Sequence, residues 1–177
     1  ASSASSSPTN SYSPIIRFNM KMIIGLYGPE FSGKRDTQKR LVELLCKENN
    51  NQCDRFESIE GSSLLRWKNK NIAVAISDAS VSKVNERIAF FEDKNWDILV
   101  IATKTRGTGS QAVHAYVDGK ASMRLIWVGK NYSTSSAEFI NEAQAKELYD
   151  FIDLIIDKWG ELSEGNSASS DPASNKG

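Results

Sequence analysis

Residues 22–34 read MIIGLYGPEFSGK, a short apolar run of β-forming residues followed by a turn that contains two glycines. The turn, residues 28–34, fits the pattern G-x-x-x-x-G-K. Two glycines let the backbone curl so that successive N–H groups point at one anion, and a following helix adds the positive end of its dipole. A helical pattern does follow, with leucines at i, i+3 and i+4 between Thr37 and Lys47. The segment therefore predicts a strand, a phosphate-binding loop and a helix in succession.

Downstream of this segment, apolar strand-like runs alternate with helical patterns. The predicted strands are residues 53–59, 72–77, 98–102 and 123–128, and the predicted helices are residues 81–93, 111–117 and 138–159. Near-continuous apolar strands separated by helices are typical of a parallel sheet that is covered on both faces. We therefore expect an α/β fold with a doubly wound, mainly parallel sheet in three layers, α/β/α. In such sheets ligands bind at the carboxyl ends of the strands.

The composition limits the domain organisation and the classes of function. The chain has 177 residues, with 22 basic and 22 acidic side chains. Residues 1–19 and 163–177 are rich in Ser, Ala and Asn, so we predict a disordered leader and tail around one folded domain, residues 20–162. The zero net charge argues against a broadly basic protein that coats nucleic acid, and nucleic acid is not an expected partner. The apolar runs are too short to span a membrane.

The few cysteines and histidines argue against several kinds of chemistry. The sequence has two cysteines, Cys46 and Cys53, and one histidine, His114. This excludes a disulfide framework and makes histidine-based metal sites and Ser-His-Asp catalysis poor candidates. We expect both thiols to be buried and inert, and His114 to be a packed or surface residue. The lack of structural disulfides and of targeting signals favours a cytoplasmic protein.

The position after Lys34 departs from the usual form of the loop. A Ser or Thr normally stands there to bind Mg²⁺, whereas this sequence has Arg35, which cannot ligate a cation. Thr37 or Ser32 would have to take over that role. Asp78 is the second candidate metal ligand, since an acid at the end of a buried strand can hold Mg²⁺ through water. Alternatively, Asp78 orders the start of the helix that follows it.

Two further loops at the expected ligand edge carry cations. Residues 103–110 contain Lys104 and Arg106, which could clamp a phosphate, with bidentate geometry from the arginine. Lys130 follows the strand predicted over residues 123–128 and would offer a point charge. The alternative for all three is an ordinary solvated side chain.

The loop resembles those of known nucleotide kinases. Residues 32–37, SGKRDT, are similar to the SGKDT of phage-type deoxynucleoside monophosphate kinases, with Arg35 as one additional residue. Thr37 and the glutamine after it also resemble the GKGTQ and GKTTQ loops of adenylate and thymidylate kinases. Residues 152–162, IDLIIDKWGEL, resemble the closing ID-x-x-I-x-N-x-G-x-L of deoxynucleoside monophosphate and dephospho-coenzyme A kinases, except that Asp157 or Lys158 stands where Asn is typical.

This resemblance implies a P-loop NTPase-type fold, ATP and Mg²⁺ as cofactors, and transfer of a phosphoryl group to a (deoxy)nucleoside monophosphate. Lys34, Arg106 and Lys130 would be the catalytic cations, and Thr37 and Asp78 would hold the metal. Arg106 would match an arginine that the family has at the end of a strand, and Lys130 would stand in for a second arginine in a strand-to-helix loop. The alternatives are a nucleotide-dependent interaction protein, with a protein partner or a second copy, and a degenerate scaffold associated with virions or replication. The residues expected to bind the cofactor are Gly28, Pro29, Glu30, Phe31, Ser32, Gly33, Lys34, Arg35, Asp36 and Thr37.

Overall fold

A computed structural model describes residues 20–50, 52–104, 108–120 and 122–164. The strands are β1 (Lys21–Gly28), β2 (Asp54–Phe56), β3 (Ser62–Trp67), β4 (Lys70–Ala75), β5 (Ile98–Lys104) and β6 (Met123–Gly129). The helices are α1 (Lys34–Glu48), α2 (Val81–Glu92), α3 (Thr108–Val117), α4 (Ala137–Asp157) and α5 (Trp159–Glu164), and a 3₁₀ turn covers Glu57–Ile59. The predicted leader and most of the predicted tail lie outside the described residues.

The strands form one six-stranded sheet in the order β2-β3-β4-β5-β1-β6. Strands β4, β5, β1 and β6 pair parallel with one another, while β2 pairs antiparallel with β3, and β3 with β4. The prediction of an α/β fold with a mainly parallel sheet is confirmed. Strand β1 lies between β5 and β6, so the loop that follows it is flanked by the loops that follow those two strands.

Helices cover both faces of the sheet. Successive residues of β1 point to opposite sides, so they contribute to two separate cores. Ile24 belongs to the core formed with α1 and α4, and Ile23 belongs to the core formed with α2 and α3. The predicted apolar face of α1 is confirmed, since Leu41 and Leu45 are fully buried and Leu44 packs against them.

Strand β3 was not predicted from the sequence, which has serines at its first two positions. Ser62 and Ser63 are fully buried, which is unusual for a residue type found mostly in turns and on surfaces. The Ser62 hydroxyl donates to Ile59 O at 2.8 Å and accepts from the Ile76 N–H at 2.7 Å. Hydrogen bonds of this kind make a buried hydroxyl tolerable. A pattern based on apolar residues alone does not detect such a strand.

The expectation of free thiols is wrong, because Cys46 and Cys53 form a disulfide bond. Their Cα atoms are 5.9 Å apart. The bond ties the last turn of α1 to the segment just before β2. Two cysteines cannot build a disulfide framework, but seven positions of separation allow one bridge across the turn between two elements.

The core predicts a strong dependence of stability on Leu45. Its side chain is fully buried, so Leu45→Ala should lower the free energy of unfolding by about 2–5 kcal/mol through lost burial and a residual cavity. Leu154 on α4 is 54% exposed, and Leu154→Ala should cost less than about 1 kcal/mol. Urea denaturation of both variants compares the two values. Equal losses would contradict the placement of α1 against the sheet.

Candidate functional site

The sheet register brings three loops to one point. At the end of β1, Gly28 is paired with Lys104, and Tyr27 is paired with Gly129 of β6. The carboxyl ends of β1, β5 and β6 therefore lie level with one another. The loop of residues 28–34, hereafter the phosphate loop, emerges between the other two.

Both glycines of the phosphate loop are required by close contacts. A Cβ atom on Gly28 would lie 2.9 Å from Lys130 Cβ. Gly33 has a φ of +91°, and a Cβ atom there would lie 2.4 Å from Asn141 Oδ1. Both distances are shorter than real Cβ contacts, and the positive φ independently favours glycine. The backbone thus curls tightly enough for neighbouring elements to approach it directly.

Lys34 is folded back onto the loop from which it projects. Its side chain is buried, and the Nζ atom donates to Gly28 O at 2.7 Å and to Pro29 O at 2.8 Å. Burial lowers the pKa of the Lys34 ammonium, the nearby Lys104 ammonium lowers it further, and the Glu30 carboxylate partly opposes them. The loop therefore holds a cation within its curve.

Lys130 brings a second buried ammonium group to the same loop. Its side chain is 6% exposed, its backbone N–H donates to Tyr27 O at 2.7 Å, and its Nζ atom donates to Asn131 O. Burial lowers the pKa of Lys130 to about 8, and the Lys34 ammonium adds to this effect, while Asp36 opposes it. The two ammonium groups repel each other, and a bound anion would relieve that repulsion.

Helix α4 supports both loops through two buried amide side chains that the sequence analysis did not single out. Gln144 Nε2 donates to Gly129 O at 2.8 Å, and Gln144 Oε1 accepts from the Asn131 N–H at 2.7 Å. Asn141, one helical turn earlier, lies against Gly33. Their spacing of three residues on an otherwise apolar helix face is the signal that could have identified them.

Thr37, a predicted metal ligand, is engaged with a side chain of α4. Its side chain is fully buried, and Thr37 Oγ1 donates to Asn141 Oδ1 at 3.3 Å. Asp78, the other predicted ligand, is exposed and accepts from the Ser80 N–H at 2.9 Å. That hydrogen bond is the main cause of a lowered pKa for the Asp78 carboxyl. It also agrees with the alternative that Asp78 orders the start of α2, while the metal role of both residues stays a prediction.

A cavity of about 330 Å³ opens beside the phosphate loop. Seven of the predicted site residues line it, Arg106 lies outside the described residues, and the predicted residues that do not line it are Gly28, Pro29, Ser32, Thr37 and Lys130. Lys104, at the end of β5, has its Nζ atom 3.7 Å from Glu30 Oε1. The residues that line the cavity are Glu30, Phe31, Gly33, Lys34, Arg35, Asp36, Ser77 and Asp78.

A second cavity, of about 400 Å³, lies between α3 and β6, away from the phosphate loop. It is lined in part by His114 and Trp127, and Trp127 Nε1 donates to His114 Nε2 at 3.1 Å. The exposed His114 is thus engaged with a neighbouring ring, in agreement with the expectation of a packed or surface residue.

Comparisons with protein-family models, with curated proteins and with solved structures give no significant match to this chain. Within the four described ranges, no helix is both long and apolar enough to cross a bilayer. The interpretation of the site therefore depends on its own geometry. Lys34 at the start of α1, Lys104 at the end of β5 and Lys130 just after β6 converge on a loop with curled backbone. This arrangement is suited to an anion that carries several negative charges.

The low pKa of Lys130 predicts that anion binding depends on pH. Only the ammonium form attracts an anion, so affinity should be highest below pH 8 and fall as the pH rises through the pKa of about 8. For metal-free ATP, we expect a loss of about tenfold between pH 7.5 and 9.5, measured by isothermal titration calorimetry. Lys130→Met should flatten this dependence, whereas Lys146→Met, at an exposed position of α4, should leave it unchanged. The same slope in Lys130→Met as in the wild type would contradict the assignment.

Proposed function

We propose that this chain binds a nucleoside triphosphate, with the phosphate chain at residues 28–34. The observation that carries the proposal is the convergence of Lys34, Lys104 and Lys130 on one curled loop. Besides burial, the Lys104 ammonium lowers the pKa of Lys34, and the Lys34 ammonium lowers the pKa of Lys130. A protein gains nothing in stability from crowding like charges, so the arrangement is best explained by an anionic ligand.

The roles of individual groups follow from their placement. The backbone N–H groups of the phosphate loop and the first turn of α1 would surround one phosphate, with the dipole of α1 adding to the attraction. Lys34 would exchange its two carbonyl partners for phosphate oxygens, because a charged acceptor makes the stronger hydrogen bond. Lys130 would approach from the side of β6 and Lys104 from the side of β5.

Phosphoryl transfer to a (deoxy)nucleoside monophosphate is the reaction that this site would carry if the protein is an enzyme. Such a transfer needs positioned positive charge more than covalent chemistry, and Lys34 and Lys130 supply that charge. In the transfer, the bond from the γ-phosphorus to the bridging oxygen breaks and a bond from that phosphorus to an oxygen of the acceptor phosphate forms. The products are ADP and a nucleoside diphosphate.

A nucleotide-dependent interaction protein is the second candidate, and Arg35 favours it. Arg35 occupies the position of the usual metal-binding hydroxyl, and its NH1 atom lies 2.7 Å from Glu60 Oε1. Glu60 belongs to the turn that leads into β3, outside the loop itself. This ion pair connects the phosphate loop to the turn before the antiparallel strands, so nucleotide binding could alter a surface that a partner contacts.

Replacement of Lys34 tests the proposed binding. Lys34→Ala should weaken ATP binding by about tenfold or more, because a charge-assisted hydrogen bond to phosphate is lost. Lys39→Ala, at an exposed position on the same helix, should bind as the wild type does. Isothermal titration calorimetry measures both, and phosphate transfer to added monophosphates separates the enzyme from the interaction protein. Wild-type protein that binds no ATP, or Lys34→Ala protein that binds it unchanged, would contradict the proposal.

A further inference from the structure

The oxygen atoms around the phosphate loop do not make a good set of ligands for Mg²⁺. The Ser32 hydroxyl donates to Pro29 O at 2.7 Å, and the Thr37 hydroxyl is fully buried. The motif normally offers a hydroxyl directly after its lysine, and that position is an arginine. In the described parts of the chain, no three His, Cys, Asp or Glu side chains lie close enough to hold a metal ion. The loop thus lacks the donor that usually brings the cation to the phosphates.

Arg35 places a guanidinium cation at the position where the motif usually has its metal-binding hydroxyl. It belongs to the first turn of α1, directly after Lys34, and it lines the cavity beside the loop. Its side chain is 51% exposed, so a ligand in solution can reach it. Asp78 lines the same cavity, and the pKa of its carboxyl is lowered mainly by hydrogen bonds from Ser80, with a smaller contribution from the charge of Arg35. A guanidinium also has the planar, forked geometry that suits two phosphate oxygens.

Ion pairs that run through Glu60 to Arg87 hold the Arg35 guanidinium in place. Arg35 NH1 lies 2.7 Å from Glu60 Oε1, and Glu60 Oε2 lies 3.0 Å from NH2 of Arg87. Arg87 is 1% exposed, and its Nε atom donates to Ile76 O at 2.9 Å, which fixes it against the end of β4. Among the described residues, Glu60 is the one hydrogen-bond partner of the Arg35 side chain, and within them most of the five N–H donors of this guanidinium are not engaged.

We infer that Arg35 replaces the divalent cation, so that the ligand of this site is the metal-free polyphosphate of a nucleoside triphosphate. The inference rests on the proposed binding of nucleotide at the phosphate loop. Arg35 would donate two hydrogen bonds to oxygens of the terminal phosphates, while Glu60 keeps the guanidinium in position. Mg²⁺ on the same oxygens would compete with Arg35 and weaken binding.

The test is isothermal titration calorimetry with ATP, once in excess EDTA and once in millimolar Mg²⁺, on the full chain. Wild-type protein should bind ATP more tightly in EDTA than in Mg²⁺. Arg35→Ser restores a hydroxyl at the metal position, and it should bind about tenfold more weakly than the wild type in EDTA. It should regain affinity when Mg²⁺ is added. Arg35→Lys keeps the charge but loses the fork, so its affinity in EDTA should lie between the other two.

Arg40→Ser is the matched control, because Arg40 lies on the same helix, is 37% exposed and has a carboxylate 3.9 Å away. It should bind ATP as the wild type does in both solutions. Wild-type binding that requires Mg²⁺, or Arg35→Ser binding that equals the wild type in EDTA, would overturn the role of Arg35 and leave the proposed function standing. Absence of binding in both solutions would overturn the proposed function as well.

Discussion

The buried ammonium group of Lys34 is the constraint on which the site depends. It donates to two carbonyl oxygens of its own loop, Gly28 O and Pro29 O, and these bonds hold the charge within the curve of the backbone. The loop curls around this cation, and Lys130 and Asn141 approach its backbone closely. There is no room for a side chain at Gly28 or Gly33. The Lys34 ammonium also lowers the pKa of Lys130, so the local environment favours an anion before any ligand is present.

The order of the strands and the polar face of α4 bring the rest of the site to that cation. Because β1 lies between β5 and β6, the lysines that end or follow its neighbours reach the loop from both sides. Gln144 and Asn141 on α4 then fix the Lys130 loop and the phosphate loop to one helix. A displacement of α4 would move both loops together. Helix α4 therefore links the stability of the fold to the geometry of the phosphate loop, although its own contacts there come from uncharged amide side chains.

The sequence predicted those parts of the fold that leave periodic apolar patterns. The parallel strands and helices α1 and α2 could be recognised in this way, and the G-x-x-x-x-G-K spacing located the loop of residues 28–34. Strand β3 could not, since its buried serines resemble a turn, and the Cys46–Cys53 bond depends on how the end of α1 approaches β2. The support given by Asn141 likewise depends on contacts between residues more than one hundred positions apart. Such contacts leave no local pattern.

The most direct test of phosphate binding is to record the backbone amide resonances of ¹⁵N-labelled protein while ATP is added. We expect the largest shift changes at Gly33 and Lys34, with smaller changes at Lys130, because phosphate oxygens would accept hydrogen bonds from the loop amides. Residues around the second cavity, such as His114, should not change. Shifts confined to that cavity, or no shifts at millimolar ATP, would contradict the claim that residues 28–34 form a phosphate-binding loop.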